Sequence, residues 1–372
     1  MAGLYIHIPF CRKACHYCDF HFSTSLQFVD RLISCLGREM EIQCDYPGSE
    51  TISSIYFGGG TPSLLREEQI NGLLEKAFRL FKVEEKAEIT LEANPDDLSR
   101  DYLDGLKRCG INRLSIGMQT FHEPHLRTLN RIHSATEAIN AYVTACDAGF
   151  SNITLDLIYG IPAENHDIWH RDLDRLFQMR PAHFSAYCLT IEPRTVLGNW
   201  TRHQKFHPAD DEFAARQYEI LMECSEQEGY EAYEISNFAL GKQYSRHNSA
   251  YWFHEPYLGL GPGAHSFRNN TRQSNISNNY NYMKSIEAGI VPYTSEALDQ
   301  RDLANEYLMT SLRTARGCDL GRLKERYGYR PPGKRIERGI QEGHLLLERG
   351  MLRLSRRGRL LADSITADLF WV

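Results

Sequence analysis

The stretch HIPFCRKACHYCDFHF, residues 7–22, places three cysteines in a C-x3-C-x2-C spacing close to the start of the chain. The preceding run GLYIHIP, residues 3–9, is rich in residues that favour a β-strand. The cysteines therefore follow a strand directly and occupy the loop at its carboxyl end. Because α/β barrels place their active sites at that end of the strands, this loop is the first candidate for a functional site.

Cys11, Cys15 and Cys18 suit a [4Fe–4S] cluster that leaves one iron without a protein ligand. Such an iron can bind a small molecule through hard donor atoms, and the cluster can deliver one electron to it. A tetrahedral zinc site is the alternative, but it needs a fourth ligand, which His16 or His21 would have to supply. The other seven cysteines stand alone, and we expect them to be packing residues.

The composition indicates an ordinary soluble protein with room for a large domain and a smaller one. The chain has 372 residues, of which 42% are hydrophobic and 24% charged. It contains no apolar run long enough for a transmembrane helix, and its N-terminus lacks the regions of a signal peptide. We therefore expect a cytoplasmic protein with reduced thiols. The net charge of −6 argues against general nucleic-acid binding.

The first half of the chain alternates strand-like runs with amphipathic helical stretches, such as 66–81 and 134–150. This repetition predicts an α/β fold with a parallel sheet. Six units fit an open, partial (β/α)6 TIM-type barrel over residues 1–230, although alternation alone does not exclude a doubly wound sheet. We expect the strands to be apolar on both faces, as in a buried parallel sheet. The six strand-like runs are 3–9, 51–57, 87–92, 112–118, 152–158 and 182–188.

The second half divides into a connecting segment and a small C-terminal module. A helix over 209–228 leads into residues 231–295, which are rich in Gly, Pro and Asn and show little periodicity. Residues 296–372 are typical of a winged-helix-like α+β module, with a hairpin that turns at Arg349-Gly350.

The C-terminal module is basic, since residues 313–359 carry 14 Lys/Arg against 5 Asp/Glu. Four roles fit this charge: binding nucleic-acid phosphate, docking an acidic partner, receiving heme propionates, or packing against the open edge of the barrel. The sequence does not choose among them, although nucleic acid is the least expected. The arginines concerned are Arg356, Arg357 and Arg359.

Two motifs together resemble the radical S-adenosylmethionine (SAM) superfamily: the cysteine loop with Tyr17 before its third cysteine, and GGGTP at 58–62 after the second strand. The resemblance implies that the open iron chelates the amino and carboxylate groups of SAM, and that the reduced cluster cleaves SAM to a 5′-deoxyadenosyl radical. Glycines let a backbone approach a ligand closely, and their N–H groups can meet its polar end. The stretch is not a P-loop, because Gly-Lys-Ser/Thr is missing.

Polar residues at the ends of further strands match one branch of this superfamily, which contains the oxygen-independent coproporphyrinogen III oxidases and the heme chaperones. The resemblance implies that nine residues contact SAM, the charged ones through its ribose hydroxyls and its zwitterionic end. They are Tyr5, Tyr17, Gly59, Gly60, Thr61, Glu92, Gln119, Arg131 and Asp156.

Three features favour a heme chaperone over an oxidase within this branch. Phe20 stands where the oxidases carry a further cysteine, only ten residues precede the cluster loop, and residues 247–252 match the H-N-x-x-Y-W motif of the chaperones. Heme needs an axial donor and flat apolar walls. His247 is the expected axial ligand, with Asn248, Tyr251 and Trp252 beside it, and His254 and His265 are the alternative ligands.

The resemblance thus implies a protein that carries a [4Fe–4S] cluster, SAM and heme, and delivers heme to acceptor proteins. Respiratory, membrane-associated acceptors fit this picture, as do a peripheral location of this protein at the inner face of the membrane and a homodimer. The alternative is radical oxidative decarboxylation of coproporphyrinogen III to protoporphyrinogen. A radical enzyme acting on an unrelated substrate such as RNA is less favoured, because the barrel half shows no basic groove.

Overall fold

Six parallel strands form the frame on which the rest of the molecule is arranged. The computed structural model describes residues 1–372. The strands pair in chain order, which is the progression of a barrel, whereas a doubly wound sheet reverses its strand order near the middle. The predicted α/β fold with a partial (β/α)6 barrel is thus confirmed. The strands are β1 Ala2–Ile8, β2 Ile52–Gly59, β3 Val83–Ala93, β4 Arg113–Gln119, β5 Ile153–Tyr159 and β6 His183–Cys188.

Helices follow the strands of the barrel, and the three stretches predicted at 66–81, 134–150 and 209–228 each form a helix within a few residues of those bounds. The fifth begins at a capping box in which Ser134 and Glu137 each accept a hydrogen bond from the other's backbone N–H. It ends two residues before Gly149, whose φ of +85° suits the chain reversal. The helices are α1 Val29–Ile42, α2 Glu67–Leu80, α3 Arg100–Cys109, α4 Glu123–Thr128, α5 Ala135–Asp147, α6 Asp167–Met179, α7 Val196–Arg202 and α8 Asp211–Gln227.

The strands present different chemistry on their two faces, so the expectation that both faces are apolar was wrong. In β5, Ile153, Leu155 and Leu157 belong to the main hydrophobic core. Thr154 and Asp156, which alternate with them, line a cavity inside the barrel. The period-two alternation arises because only the outer face packs against helices, while the inner face surrounds a polar lumen.

The segment after α8 has more regular structure than its sequence pattern suggested, because it extends the sheet at both edges. One strand, β9, pairs in parallel with β1 and is followed outward by three antiparallel strands, while β8 pairs antiparallel with β6. The resulting twelve-stranded sheet is open, with β12 and β7 at its edges. The added elements are β7 Glu231–Ala232, β8 Asn237–Ala239, α9 Arg246–Trp252, β9 Tyr257–Leu260, β10 His265–Arg268, β11 Thr271–Asn275, α10 Asn279–Glu287 and β12 Tyr293–Ala297.

The C-terminal residues form helices and a three-stranded sheet around a separate core of 14 buried residues. Its hairpin turns at Arg349 and Gly350 with φ angles of +50° and +81°, the pattern of a type I′ turn. The division of the chain at residues 230 and 295 stays a prediction. The elements are α11 Gln300–Leu312, β13 Cys318–Asp319, α12 Leu320–Tyr327, α13 Gly333–Gln341, β14 Leu345–Glu348, β15 Met351–Leu354, α14 Arg356–Arg359 and α15 Ala362–Asp368.

Two of the module's arginines pack it against the barrel. Arg356 lies 3.2 Å from Glu223 and 3.8 Å from Glu226 on α8, and Arg359 donates to the carbonyl of Ala232 at 3.3 Å. Arg357 is exposed and has no such partner. Of the four roles considered for these arginines, packing against the barrel is therefore the one that Arg356 and Arg359 perform. None of the helices is both long and apolar enough to cross a membrane.

Candidate functional site

The cysteine loop connects β1 to α1 and opens onto the carboxyl end of the barrel. Its base is closed by two backbone hydrogen bonds, from Cys11 N–H to the carbonyl of Ser23 and from Ser23 N–H to the carbonyl of Pro9. Cys11, Cys15 and Cys18 are all half-buried and all line one cavity of about 710 Å³, which we call the barrel cavity. The structure thus brings the three predicted ligands to one wall of one cavity.

Polar groups approach two of the three sulfur atoms. Thr61 Oγ1 lies 3.4 Å from Cys11 Sγ, and Arg131 Nη1 lies 3.3 Å from Cys15 Sγ. Burial raises the pKa of Cys18 to about 11, so this thiol has to lose its proton when it binds metal. No three ligating side chains converge closely enough to hold a single ion. A cubane cluster, by contrast, takes one thiolate at each of three separate irons.

Two glycines of the GGGTP motif are required by close contacts with β1 and with the residues that follow it. A Cβ at Gly59 would lie 2.6 Å from the His7 ring, and its φ is +114°. A Cβ at Gly60 would lie 2.7 Å from the carbonyl of Phe10. Their N–H groups are already bonded, that of Gly59 to Glu92 and that of Gly60 to Ile8. The glycines therefore shape the cavity wall. The motif suggested that their N–H groups bind a ligand, but these two N–H groups are already used within the protein.

Two acidic side chains stand inside the barrel. Glu92 accepts hydrogen bonds from Tyr56 Oη at 2.7 Å and from Gly59 N–H at 3.1 Å. Burial raises its pKa to about 7. Asp156 accepts hydrogen bonds from Ser115 and Ser185 on the neighbouring strands, and burial raises its pKa as well. Carboxylates held in this way can accept hydrogen bonds from hydroxyl groups of a ligand.

Arg131 links the cysteine loop to the ends of the third and fourth strands. Its Nη2 donates to Asn94 Oδ1 at 2.6 Å and to the carbonyl of Gly117 at 3.1 Å, while its Nη1 reaches Cys15. Its Nε is buried without a partner. Gln119 lies beside it with a φ of +68°, an uncommon conformation for a residue other than glycine. The strained residue and the unpartnered N–H both lie at the rim where a ligand is expected.

The structure gathers most of the predicted SAM contacts and adds others. Tyr5 is the exception, because it does not line the barrel cavity and its hydroxyl lies 3.0 Å from His7 Nδ1. Asn94, Ser115 and Ser185 also line the cavity, and the sequence analysis missed them. The signal for Asn94 was present, since it follows β3 directly in LEANP. The predicted residues that line the cavity are Tyr17, Gly59, Gly60, Thr61, Glu92, Gln119, Arg131 and Asp156.

The H-N-x-x-Y-W motif forms α9, which packs against β1 and β2. His247 is 1% exposed, and both of its ring nitrogens have partners: Nδ1 with Ser54 Oγ at 2.8 Å and Nε2 with Tyr251 Oη at 2.9 Å. Burial lowers its pKa to about 3. The expectation that His247 is presented to heme does not match this geometry, because both ring nitrogens are already hydrogen-bonded within the protein and the residue lines neither of the two cavities described here. Asn248 lines the barrel cavity instead.

A second cavity of about 650 Å³, which we call the side cavity, adjoins the first. Tyr251 and Trp252 line it, as do the two histidines considered as alternative ligands, His254 and His265. Asp19 and Phe20, the two residues after the last of the three cysteines, line both cavities. Phe20 is 73% exposed, unusual for so large an apolar side chain.

Comparison with known proteins gives similarity over the whole chain. Residues 5–176 match the family model of the radical SAM superfamily. The chain is 34% identical to the heme chaperone HemW of Bacillus subtilis over 372 residues, which covers 98% of each chain. It is also 34% identical to HemW of Mycobacterium tuberculosis (strain H37Rv), covering 99% of this chain and 94% of that one.

A solved structure shares the fold. It is the coproporphyrinogen III oxidase HemN from Escherichia coli, a radical SAM enzyme, with a TM-score of 0.86 and 22% identity over 99% of this chain and 90% of that one. A mitochondrial relative, radical S-adenosyl methionine domain-containing protein 1 of Bos taurus, is 31% identical over 99% of this chain and 87% of its own.

Proposed function

This chain belongs to the HemW family of radical SAM proteins, and from that premise we propose that it is a heme chaperone. It binds heme in the side cavity, holds a [4Fe–4S] cluster and SAM in the barrel cavity, and passes the heme to acceptor proteins. The cytoplasmic location, the membrane-associated acceptors and the homodimer stay predictions from the sequence.

The residues of the barrel cavity support the cluster and SAM. Cys11, Cys15 and Cys18 would hold the cluster, which would supply single electrons for chemistry on a bound ligand. Arg131, close to Cys15, offsets part of the negative charge of the cluster thiolates. Glu92 accepts hydrogen bonds from the ribose hydroxyl groups of SAM. The barrel cavity, of about 710 Å³, is large enough for a ligand of the size of SAM.

The observation that carries the heme proposal is the contact between the two cavities at Asp19 and Phe20. A radical enzyme that decarboxylates a porphyrinogen needs its substrate beside SAM, inside the barrel. Here a second, separate cavity with aromatic walls and histidines lies next to the first. Phe20 stands between the two cavities, at the position where the oxidases carry a cysteine. This arrangement favours a bound porphyrin outside the barrel, and therefore cargo rather than substrate.

A titration of the anaerobically reconstituted protein with hemin tests this function. The Soret band is expected to saturate near one heme per chain. The loaded protein is then mixed with apomyoglobin as a general heme trap, and transfer is followed by the appearance of the myoglobin spectrum. Weak binding that does not saturate, together with conversion of coproporphyrinogen III in the presence of SAM and a reductant, would identify the chain as a decarboxylase instead.

A further inference from the structure

The side cavity contains four histidines, and they differ in whether their ring nitrogens are available to a ligand. His7 has none available, since Nδ1 lies 3.0 Å from Tyr5 Oη and Nε2 lies 3.0 Å from the carbonyl of His21. Two more rings are hydrogen-bonded: His21 follows the cysteines in their loop, and His254 follows α9. The four histidines are His7, His21, His254 and His265.

His21 and His254 each use Nε2 for a protein partner. His21 Nε2 lies 2.7 Å from Asn279 Oδ1, and His254 Nε2 lies 3.0 Å from Thr310 Oγ1. Heme iron could bind either Nε2 only if its hydrogen bond broke, which would leave Asn279 or Thr310 without that hydrogen-bond partner. This requirement disfavours both rings, as the two bonds of His247 disfavour that residue.

His265 is the histidine whose imidazole has no partner in the protein. It is the first residue of β10, its side chain is exposed to the side cavity, and it makes no side-chain hydrogen bond or ion pair. Partial desolvation by the walls of the side cavity and the charge of the neighbouring Arg272 lower its pKa, which favours the neutral ring. A neutral imidazole is the form that binds iron. Because β10 belongs to the central sheet, the ring is attached to a rigid element.

The walls around His265 suit a flat apolar ligand. Tyr251 and Tyr257 pack edge to face with their ring centres 4.6 Å apart, and Phe267 lies two residues beyond His265 on the same face of β10. His247 holds this wall in place through its hydrogen bond to Tyr251. Arg272, whose Nη2 lies 2.7 Å from Glu306, supplies the cavity's guanidinium for a propionate.

We propose that His265 is the axial heme ligand, and that the H-N-x-x-Y-W helix supplies the wall of the heme site rather than the iron ligand. The inference rests on the proposed heme-binding function. Nε2 of the neutral imidazole donates its lone pair to ferric heme iron, and no electron or proton is transferred in this step. His247 is a positioning residue that acts through Tyr251.

The test compares ferric heme bound to the wild-type chain, His265→Ala and His247→Ala by Soret and visible absorption and by electron paramagnetic resonance. His265→Ala is expected to lose the histidine-ligated spectrum, to bind heme at least tenfold more weakly, and to regain the spectrum when free imidazole is added. His247→Ala is expected to bind more weakly while keeping the wild-type ligation spectrum. The exposed His170→Ala, on α6, is the matched control and should behave as the wild-type chain does.

The outcomes separate the inference from the function on which it rests. If the wild-type chain takes up no stoichiometric heme, the proposed function itself fails. If the wild-type chain binds heme and the His265→Ala spectrum is unchanged, the function stands and the ligand assignment is overturned. Loss of the histidine-ligated spectrum in His247→Ala, with a thermal transition equal to that of the wild-type chain, also overturns it. His265 is exposed, so its substitution leaves no buried group without a partner.

Discussion

At the residue scale, His247 is held by groups that are far apart in the chain. Its ring lies between Tyr56, whose ring centre is 4.9 Å away and stacked, and Tyr251, whose ring meets it edge to face. Its Nδ1 partner, Ser54, is 193 residues distant in sequence. Each buried hydrogen bond of this kind contributes roughly 0.5–1.5 kcal/mol to stability. The motif therefore holds α9 against β2. A helix that forms the wall of a ligand site has to be held in place in this way.

If Glu92 contacts SAM as proposed, we expect SAM binding to depend on pH. Because burial raises its pKa to about 7, the carboxyl group is mostly protonated at pH 6 and mostly ionised at pH 8. Only the ionised form accepts hydrogen bonds from hydroxyl groups at both oxygens. The dissociation constant for SAM, measured by calorimetry on the cluster-loaded chain, is therefore expected to fall about tenfold from pH 6 to pH 8. In Glu92→Gln this part of the pH dependence should disappear, and an unchanged slope would contradict the assignment.

The chemistry of single residues was predictable where a local motif carried it. The three cysteines lie within a span of eight residues, and Glu92 and Gln119 stand at strand ends, so their expected positions needed no tertiary information. Ser115 and Ser185 were not predictable, because they become partners of Asp156 only when β4 and β6 lie on either side of β5. The hydrogen bonds that close off the His247 ring were hidden from the sequence for the same reason.

At the element scale, the six barrel strands were predictable because each is a β-rich run of six or more residues between helical stretches. The two short strands added beyond β6 were not. β7 has two residues and β8 three, too few to show a period of two. They exist because the edges of the barrel sheet offer unpaired backbone groups that a passing chain can satisfy. The polar inner face was also misread, since alternation within a strand indicates a half-solvated face and not a buried one.

The hairpin of the C-terminal module depends on the left-handed conformation of Gly350. A side chain there meets no atom within 4 Å, but the φ of +81° is unfavourable for residues with a Cβ. Gly350→Ala is expected to lower the free energy of unfolding by about 1 kcal/mol, and Gly350→Asn by about half as much. Urea denaturation of the intact chain measures both. Gly333→Ala, in α13 and equally unobstructed, is the control and should not destabilise; equal losses at both sites would contradict the turn argument.

At the scale of the whole molecule, opposite charges join the module to the barrel. Arg356 faces Glu223 and Glu226 of α8, and Arg313 pairs with Asp363 within the module at 2.7 Å. The basic stretch over 313–359 thus meets an acidic body. Pairs this exposed contribute at most about 1 kcal/mol each and are screened by salt. We therefore expect the contacts of Arg356 with α8 to weaken as the ionic strength rises.

Reversing the charge of Arg356 tests this contact between the C-terminal module and α8. In Arg356→Glu, three acidic groups face one another, so hydrogen–deuterium exchange of the α14 amides is expected to rise about fivefold at low salt, with a smaller difference at high salt. Arg357→Glu changes the net charge by the same amount at an exposed arginine without an ion pair. If both variants exchange equally fast, net charge rather than the Arg356 contacts is responsible.

The position of β1 inside the sheet, between β2 and β9, has a consequence for folding during synthesis on the ribosome. β1 pairs with β2 on one side and with β9 on the other, and about 200 residues separate the end of β2 from the start of β9. At roughly 5–20 residues per second, translation takes about 10–40 s to cover that distance. During that time the edge of β1 that will pair with β9 has no partner strand, because β9 has not yet been synthesised. We therefore expect the nascent chain to expose an unpaired edge of β1, open to non-native strand pairing, until β9 has been synthesised.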